Sequence, residues 1–446
     1  PIWFTNSNTY ITSLTKKANV LSDIQAAYFG TTSQTGWNSV ETFYDTESKS
    51  ALSLEGTVSD WYECGQSSTS YYSDSTGGDN TISLVQTASD WYFANHTSES
   101  RTDYDRDGNG YLDGVMLIYG APDYRELADD NASNLWAYCF WIQDGIYPSS
   151  TNPGPNVFFW ASYDFMYSAT TALLRAGSSY GGGDTSHCSI DAHTYIHEMG
   201  HVFGLDDYYD YSGQYSPAAG FSMQDYNVGG HDPFSVMALG WASPYIPTES
   251  CSITINDFQS SHDLILLTPN WNSYNSPFDE YLLLELYTPT GLNEFDSDYS
   301  YSGGYPQGPS VPGIRLWHID ARLTAYLSGG WSTTLTSNTM GSYIYTAMSN
   351  TYYTEESSSY ASVLGQSYGD YNLLQLIRNS TSTNYYPTAN LTSSNLFKAG
   401  SSFSMSTFYR QFVGGENLNS GASLGWSFTV ESCSLSSATI SLTRAA

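Results

Sequence analysis

Hydrophobic and polar residues follow a helical spacing in two stretches of this chain of 446 residues. Residues 18–29 (ANVLSDIQAAYF) have the pattern of a short amphipathic helix that Gly30 stops. From Ile190 to Leu205 apolar residues again recur at helical spacing, and Gly204 provides a stop. The pattern therefore predicts one helix near the N-terminus and a second one near the middle of the chain.

Other stretches of the N-terminal half have mixed patterns. From about Val40 to Phe93 the sequence consists of short β-like runs broken by Ser/Gly-rich loops. Residues 111–119 (YLDGVMLIY) form an apolar run that predicts a buried strand. Residues 161–176 are a further helical candidate, and the Gly/Ser-rich residues 177–186 are predicted to be a loop leading into the next helix.

After Trp241 the pattern becomes strand-like. The runs are SITI, YLLLELY, GIRLWHID, SFTVES and ATISLTR. Prolines at positions 244, 247 and 269 mark a linker, so we expect a domain boundary near residue 245. The predicted fold class is α+β, with a helix-bearing domain at 1–245 and a β-rich, sandwich-like domain at 246–446.

Composition and charge exclude several classes of protein. The chain has 44 Asp+Glu against 13 Lys+Arg, a net charge of −31. Binding of nucleic acid needs Lys and Arg to displace counterions, so nucleic acid is not an expected partner, and neither is an anionic membrane surface. No apolar run approaches the ~18–20 residues of a membrane helix. Aromatic residues make up 16% of the chain, which is too many for a disordered polyanion.

Several features together predict an extracellular glycoprotein. The chain opens PIWFTNSNTY, with neither a basic nor an apolar leader region, so we expect a signal peptide to have been removed already. Lysine is scarce, and four N-glycosylation sequons occur, at Asn95, Asn131, Asn379 and Asn390. The five cysteines allow two disulfides and one free thiol; Cys251 with Cys433 and Cys139 with Cys188 are the candidate pairs.

The strongest chemical signal is an HExxH motif on the predicted central helix. His197 and His201 are four residues apart, so both imidazoles project from one helical face and can bind one zinc ion. Glu198 lies beside that face, where it can act as general base toward a zinc-activated water. Gly204 allows the chain to turn back so that Asp207 becomes a third ligand. The plainer alternative is a helix with two core histidines.

The loop after this helix offers competing candidates. Met223 lies where metzincin-like proteases place a methionine beneath the metal, although a lone methionine can also simply fill a core gap. Asp210, Asp225 and above all His231, which has a glycine before it, compete with Asp207 as third ligand. Further candidates are Tyr226, which could stabilise an oxyanion, and His193, which could support the site or simply pack.

A second motif predicts a calcium loop. Oxygen ligands occur at positions 1, 3, 5, 7 and 9 of an EF-hand-like loop, with glycine at position 6; these ligands are Asp105, Asp107, Asn109, Tyr111 through its carbonyl, and Asp113. The bidentate glutamate of position 12 is replaced by Met116. A structural Ca²⁺ loop leading into the next strand is therefore expected, and a polar turn without an ion is the alternative.

These motifs resemble one known family. The segments IDAHTYIHEMGHVFGLDDYYD, DYDRDGNGYLDGV, QDYNVGGHDPFSVMALGW, DEYLLLELY and PGIRLWHIDARL resemble the immune inhibitor A family of secreted bacterial zinc metallopeptidases. The resemblance implies a zincin-like catalytic domain, a β-rich C-terminal domain, an N-terminal propeptide, Zn²⁺ at the site and Ca²⁺ for stability. It also implies that His197, His201 and Asp207 bind zinc and that Glu198 is the base. Three residues depart from the family pattern: Ser222, Gln224 and Val236.

The sequence therefore predicts a secreted zinc endopeptidase that hydrolyses protein or peptide substrates. Two other functions stay open. One is a non-catalytic homologue with an extracellular structural or adhesive role, suggested by the Ser/Tyr-rich composition and the altered methionine loop. The other is a calcium-dependent binding module in which residues 246–446 recognise the ligand.

Overall fold

The computed structural model describes residues 1–74, 77–142, 145–167, 190–211, 213, 215–272, 275–298, 305–327, 330–332, 343–346, 348–350, 371–385 and 387–445. Helices and several sheets together make the fold mixed α+β, as predicted. The predicted loop 177–186, most of the helical candidate 161–176 and Cys188 lie outside the described residues.

The chain separates into two compact units. The first consists of Pro1–Thr46 and Leu52–Leu205, and the second of Glu47–Ala51 and Asp206–Ala446. Apart from the short segment Glu47–Ala51, the two units divide between Leu205 and Asp206. The domain boundary near residue 245, which we expect from the sequence, stays a prediction.

The first unit is built on a five-stranded sheet with the order β2–β1–β4–β7–β5. Its strands are β1 (Ile2–Trp3), β2 (Tyr62–Glu63), β4 (Val115–Tyr119), β5 (Tyr138–Trp141) and β7 (Val157–Ser162). A separate two-stranded sheet pairs β3 (Tyr111–Leu112) with β6 (Gly154–Pro155). The pairs β1–β2, β1–β4 and β4–β7 are parallel, whereas the edge strand β5 is antiparallel to β7. The predicted buried strand within 111–119 is thus confirmed as β4.

The helices of this unit confirm one prediction and correct another. They are α1 (Leu14–Phe29), α2 (Thr32–Thr35), α3 (Val40–Glu47, whose last residue belongs to the second unit), α4 (Asp79–Asn95), α5 (Tyr124–Leu127) and α6 (His193–Val202). In α1, the Ser13 side chain caps the first turn by accepting from the Lys16 N–H, and Gly30 follows the last residue, as predicted.

The β-like prediction for 40–93 is wrong over α3 and α4. In α4 the buried positions are Thr81, Leu84, Val85 and Ser89, which repeat every three to four residues. Two of these four side chains are hydroxyl-bearing, so the apolar periodicity that identifies a helix is diluted in the sequence. The Ser89 hydroxyl is satisfied within the helix by donating to the Val85 carbonyl at 2.8 Å.

Aromatic side chains fill the core above the central strands of the first unit. Phe4, Tyr119 and Trp160 are fully buried and in mutual contact, with the rings of Tyr119 and Trp160 centred 4.5 Å apart. Rings of this size each bury roughly 150–250 Å². The large aromatic content noted in the sequence is therefore used, at least here, to build a core.

The second unit contains all five predicted C-terminal strands, in two four-stranded antiparallel sheets. One has the order β15–β11–β10–β9, and the other has the order β16–β17–β18–β8. Their bounds are β8 (Cys251–Asn256), β9 (Ile265–Leu267), β10 (Glu280–Tyr287), β11 (Gly313–Asp320), β15 (Leu374–Ile377), β16 (Ser402–Phe403), β17 (Trp426–Cys433) and β18 (Ser437–Arg444). Both sheets contribute to one hydrophobic cluster, which includes Leu284, Leu316, Phe428 and Ile440.

Shorter elements complete the second unit. A three-stranded sheet joins β12 (Leu323–Leu327), β13 (Gly330–Ser332) and β14 (Tyr343–Thr346). The α-helices described here are α7 (Pro233–Ala238), α8 (Phe258–Ser261), α9 (Glu294–Asp298) and α10 (Met405–Phe408). Within the described ranges no helix has the length and apolar character to span a membrane.

The suggested disulfide between Cys251 and Cys433 is wrong. Cys251 pairs in register with Leu442, and Cys433 pairs with Ala438. Ala438 and Leu442 lie about 13 Å apart along β18, at ~3.3 Å per residue, whereas a disulfide needs Cα atoms within about 7 Å. Both thiols are free, as is that of Cys139, whose suggested partner Cys188 lies outside the described residues.

Candidate metal centre

The helix α6 brings two imidazoles together. His197 and His201 are one helical turn apart, and their Nε2 atoms lie 3.2 Å from each other. The two rings are nearly perpendicular, with an interplanar angle of 87°. Two nitrogens that each lie ~2.0–2.1 Å from a tetrahedral zinc are about 3.3 Å apart. The predicted helix is confirmed, and its two histidines converge at the separation that zinc needs.

The chain leaves α6 through a glycine turn. The Leu205 N–H donates to the Gly200 carbonyl at 3.0 Å, and the Gly204 N–H donates to the His201 carbonyl at 2.8 Å. This pair of bonds is the Schellman pattern, in which the residue after the helix adopts a left-handed conformation. Gly204 has φ +90°, and a Cβ there would meet no atom within 4 Å. Glycine is thus needed for its backbone conformation rather than for space.

The turn returns a carboxylate toward the histidines. One ligand atom each from His197, His201 and Asp207 lies within 4.8 Å of the others. The three residues fall within one short segment, so the local backbone brings them near one another. His201 Nδ1 lies 2.7 Å from the Leu205 carbonyl, a contact that requires Nδ1–H and leaves the Nε2 lone pair for a metal. Two imidazoles and one carboxylate are a donor set that fits zinc.

Glu198 is buried on α6 beside this group. Burial, and after it the charge of Glu198, raises the pKa of the Tyr28 hydroxyl and of the Cys139 thiol. The Tyr28 ring stacks on Tyr195 with centroids 5.7 Å apart. The Tyr44 hydroxyl donates to the Ile196 carbonyl at 2.7 Å and anchors the helix next to the motif. Nothing in the sequence pattern indicates Tyr28 or Cys139, since only the fold brings them here.

The competing third ligands are engaged elsewhere. His231 is fully buried, its backbone N–H donates to Glu47 Oε1 at 2.9 Å, and its ring Nε2 lies 3.3 Å from Gln224 Oε1. Asp225 accepts from the Gly220 N–H at 2.9 Å, and Asp210 accepts from the Tyr215 N–H. Within the part of the chain that the structure describes, the metal-ligating group on α6 includes Asp207 and none of these three.

The methionine loop is tightly built. Met223 is fully buried, and its N–H donates to the Gly230 carbonyl at 3.2 Å. Ser222 has φ +126°, and its hydroxyl donates to Asp232 at 2.7 Å. Of the residues that depart from the family pattern, Ser222 and Gln224 therefore make hydrogen bonds within this loop, and Val236 is buried in α7. The role of Met223 beneath a metal stays a prediction.

Two further candidates from the sequence have different surroundings. Tyr226 is 45% exposed, and its ring contacts Tyr209; its suggested role toward an oxyanion stays a prediction. His193 is buried at the first position of α6. Burial, followed by the charge of His197, lowers the pKa of His193 to about 3, so this imidazole is neutral at pH 7. A neutral buried ring agrees with the packing role.

The predicted calcium loop brings three carboxylates together. One oxygen each from Asp105, Asp107 and Asp113 lies within 4.8 Å of the others. Burial, and also the charges of Asp107 and Asp105, raises the pKa of Asp113. Asp105 Oδ1 is buried and makes no hydrogen bond with the described residues. A cation would relieve the repulsion and satisfy this oxygen, so the donor set fits Ca²⁺.

Hydrogen bonds within the loop hold this shape. Asp107 Oδ1 accepts from the Asn109 N–H at 2.9 Å, and Asn109 Oδ1 accepts from the Tyr111 N–H at 2.8 Å. Asp105 Oδ2 accepts from the Gly110 N–H at 3.0 Å. Gly110 has φ +89°, and a Cβ there would lie 2.7 Å from the Ser149 nitrogen. Glycine at the sixth loop position is therefore required by both conformation and space.

A histidine pair, a carboxylate and a buried glutamate on one helix and turn are the residue set of a metal-dependent hydrolase. Residues 7–123 match the family model described as immune inhibitor A peptidase M6, catalytic domain. Residues 7–123 are therefore similar to the catalytic domain of this peptidase family, and the resemblance found in the sequence is confirmed over these residues. No curated protein matches the chain. The matched segment contains the 105–113 loop and ends before α6. The assignment of the histidine cluster as a metal site therefore rests on its geometry.

Proposed function

We propose that this protein is a secreted zinc endopeptidase, in which His197, His201 and Asp207 hold the metal and Glu198 is the general base. The observation that carries the proposal is the convergence of the two Nε2 atoms, 3.2 Å apart, with the Asp207 carboxylate. The peptidase family of residues 7–123 supports it independently. The alternative of two core histidines explains neither the fixed His201 tautomer nor the returning carboxylate.

Zinc in this site would supply a Lewis acid that polarises the scissile carbonyl and lowers the pKa of an attacking water. The chain supplies the remaining chemistry. Glu198 accepts the proton of the attacking water and passes it to the leaving amine nitrogen. His201 keeps its Nε2 lone pair toward the metal because its Nδ1–H is bound by the Leu205 carbonyl. The buried position of Glu198 limits exchange of that proton with bulk water.

The edge strand β5 supports an extended peptide as substrate. One side of β5 pairs with β7, and no described strand pairs with its other side. The strand β5 packs against α6, the helix that carries Glu198. An unpaired edge binds an extended segment through backbone hydrogen bonds. Protein or peptide substrates of varied sequence would be recognised in this way.

We also propose that Asp105, Asp107, Asn109, Tyr111 and Asp113 bind a structural Ca²⁺ ion. The orphaned Asp105 Oδ1 supports this part of the proposal. An extracellular location agrees with it, because Ca²⁺ is abundant there and such loops bind it weakly, with Kd on the order of 10⁻⁴–10⁻³ M. Three sequon asparagines, Asn95, Asn131 and Asn390, are exposed and could carry glycans.

The deciding experiment compares casein hydrolysis by the zinc-loaded wild type and by Glu198→Gln. Removal of a general base costs on the order of 10²–10⁴-fold in rate, so the variant should lose activity by this factor. Its zinc content and melting temperature should match the wild type. Glu416→Gln, at an exposed position, is the matched control and should keep full activity. Equal hydrolysis by wild type and Glu198→Gln would refute the assignment.

A second candidate is a non-catalytic homologue with a structural or adhesive role. The changed residues Ser222 and Gln224, which carry hydrogen bonds of the methionine loop, favour it. The same experiment separates the two functions. A wild type that binds one zinc per chain and hydrolyses no unfolded protein would support the non-catalytic role.

A further inference from the structure

A tyrosine hydroxyl contacts the carboxylate that follows the histidine helix. The Tyr211 O–H donates to Asp207 Oδ2 at 2.6 Å. Asp207 is buried, whereas the Tyr211 side chain is 59% exposed. The two residues are four positions apart in the segment after α6. A hydrogen bond of this length to a carboxylate is charge-assisted and about twice as strong as a neutral one.

The geometry of a carboxylate explains why this contact matters for a metal. Asp207 has two oxygens, and a tetrahedral zinc with two histidines and a reacting ligand needs only one of them. A hydrogen bond held on Oδ2 withdraws electron density from that oxygen and so favours Oδ1 as the metal ligand. It also fixes the rotation of the carboxylate plane. Hydrogen-bond partners of metal ligands commonly have both effects.

The Tyr211 ring is supported although it is exposed. Its centroid lies 5.4 Å from that of Tyr209, and Tyr209 in turn contacts Tyr226 at 5.0 Å. Tyr226 contacts Tyr305 in an edge-to-face arrangement at 5.5 Å. These four residues form a tyrosine row that begins at the ring whose hydroxyl contacts Asp207. Ring contacts of this kind restrain a side chain that lies largely in solvent.

We propose that Tyr211 is a positioning residue that holds Asp207 as a one-oxygen zinc ligand. The inference rests on the proposed function, because it concerns the same metal. Tyr211 itself touches neither metal nor substrate in this role. Its effect passes through the Asp207 carboxylate, and the tyrosine row keeps its hydroxyl in place.

The test is the zinc affinity of Tyr211→Phe, measured by competition with a chromogenic chelator. The variant keeps the ring and its contact with Tyr209 but lacks the donor. Loss of a ligand's hydrogen-bond partner weakens metal binding by about 10–100-fold, which is the expected result. Tyr147→Phe is the control, because Tyr147 is 82% exposed and lies in a loop of the first unit. Its zinc affinity should equal that of the wild type.

A second measurement separates positioning from a structural role. With Co²⁺ in place of zinc, Tyr211→Phe should change the visible absorption bands of the metal, while the melting temperature of the metal-free protein stays the same. Zinc affinity within about twofold of the wild type together with an unchanged cobalt spectrum would overturn the inference, since a lost ligand partner costs about tenfold or more. That result leaves the proposed function standing, because the wild type still binds zinc. A wild type that binds no zinc would overturn both.

Discussion

In both candidate metal sites three ligand atoms lie within 4.8 Å of one another, but the two sites are built in opposite ways. Around α6, two imidazoles and a carboxylate converge on a helix and its terminal turn, with Asp207 buried. In the 105–113 loop, three carboxylates converge with Asp107 and Asp113 exposed. The backbone hydrogen bonds of α6 and of its terminal turn shape the first group. The second is shaped by side chains that accept from backbone N–H groups of their own loop.

The difference lies in what each metal would contribute. Helical hydrogen bonds hold both imidazoles of the α6 cluster, so we expect metal binding there to add reactivity rather than shape. Clustered carboxylates repel each other, and the charges of Asp107 and Asp105 add to burial in raising the pKa of Asp113, so we expect the loop to reach its full stability only with a cation. We therefore expect removal of zinc to abolish activity and removal of calcium to lower stability.

The largest expected effect tests this division directly. Dialysis against 1,10-phenanthroline, with calcium kept in the buffer, should reduce peptide hydrolysis to background while the melting temperature changes little. The reason is that zinc would provide the Lewis acid, whereas α6 is held by protein contacts such as the bond from Tyr44 to Ile196. Readdition of zinc should restore the rate. Full activity in protein shown by elemental analysis to be free of zinc would contradict the expectation.

A smaller effect concerns the buried carboxyl group of Asp164, which is linked to α6 through Ser162 and Tyr195. The Tyr195 hydroxyl donates to the Ser162 carbonyl, and the Ser162 hydroxyl contacts Asp164. Burial raises the pKa of Asp164 from 3.8 to about 7, with the charges of Asp123 and Glu126 adding to it and the Ser162 hydrogen bond opposing it. The folded protein thus keeps a proton that the unfolded chain releases. This stabilisation is complete below about pH 4 and is lost as the pH rises through about 7.

Asp164→Asn should therefore flatten the pH dependence of stability in this window. Each pKa unit corresponds to about 1.4 kcal/mol. Between pH 4 and 8 the free energy of unfolding of the wild type should therefore fall by up to about 4 kcal/mol more than that of the variant. Thermal melts at several pH values between 4 and 8 measure it. Asp60→Asn, at an exposed position, is the control and should follow the wild type. Parallel wild-type and Asp164→Asn curves would show that Asp164 is not the titrating group.

The parts of the molecule that depend on local spacing could be predicted from the sequence. The four-residue spacing of His197 and His201, the stop at Gly204 and the 105–113 loop all follow from backbone geometry within a dozen residues. The C-terminal strands were also predictable, because β10 and β11 are almost continuously apolar. In these cases the residues that define the feature are neighbours in the chain.

The parts that depend on long-range packing could not be predicted. Tyr28 and Asp164 reach the surroundings of α6 only through the fold, and nothing distinguishes Tyr211 among 40 tyrosines. The helix α4 was mistaken for strands because Thr81 and Ser89 occupy its buried face. Hydroxyl-bearing side chains can be buried there by bonding within the helix, as Ser89 does, so the hydrophobic pattern alone is misleading.

The smallest expected effect concerns the calcium loop. In the wild type, calcium at ~100 times its Kd should stabilise the protein by about 2.7 kcal/mol, which corresponds to a rise of about 5–10 °C in melting temperature. Asp107→Asn removes one ligand charge and the acceptor for the Asn109 side-chain amide, but it keeps the Oδ1 that accepts from the Asn109 backbone N–H. The calcium-induced rise should then fall below about half the wild-type value at equal calcium. Asp60→Asn should keep the full rise. An equal rise in wild type and Asp107→Asn would mean that the ion stabilising the protein binds elsewhere. The 105–113 loop would then not be the calcium site, and the contrast drawn between the two metal sites would be wrong.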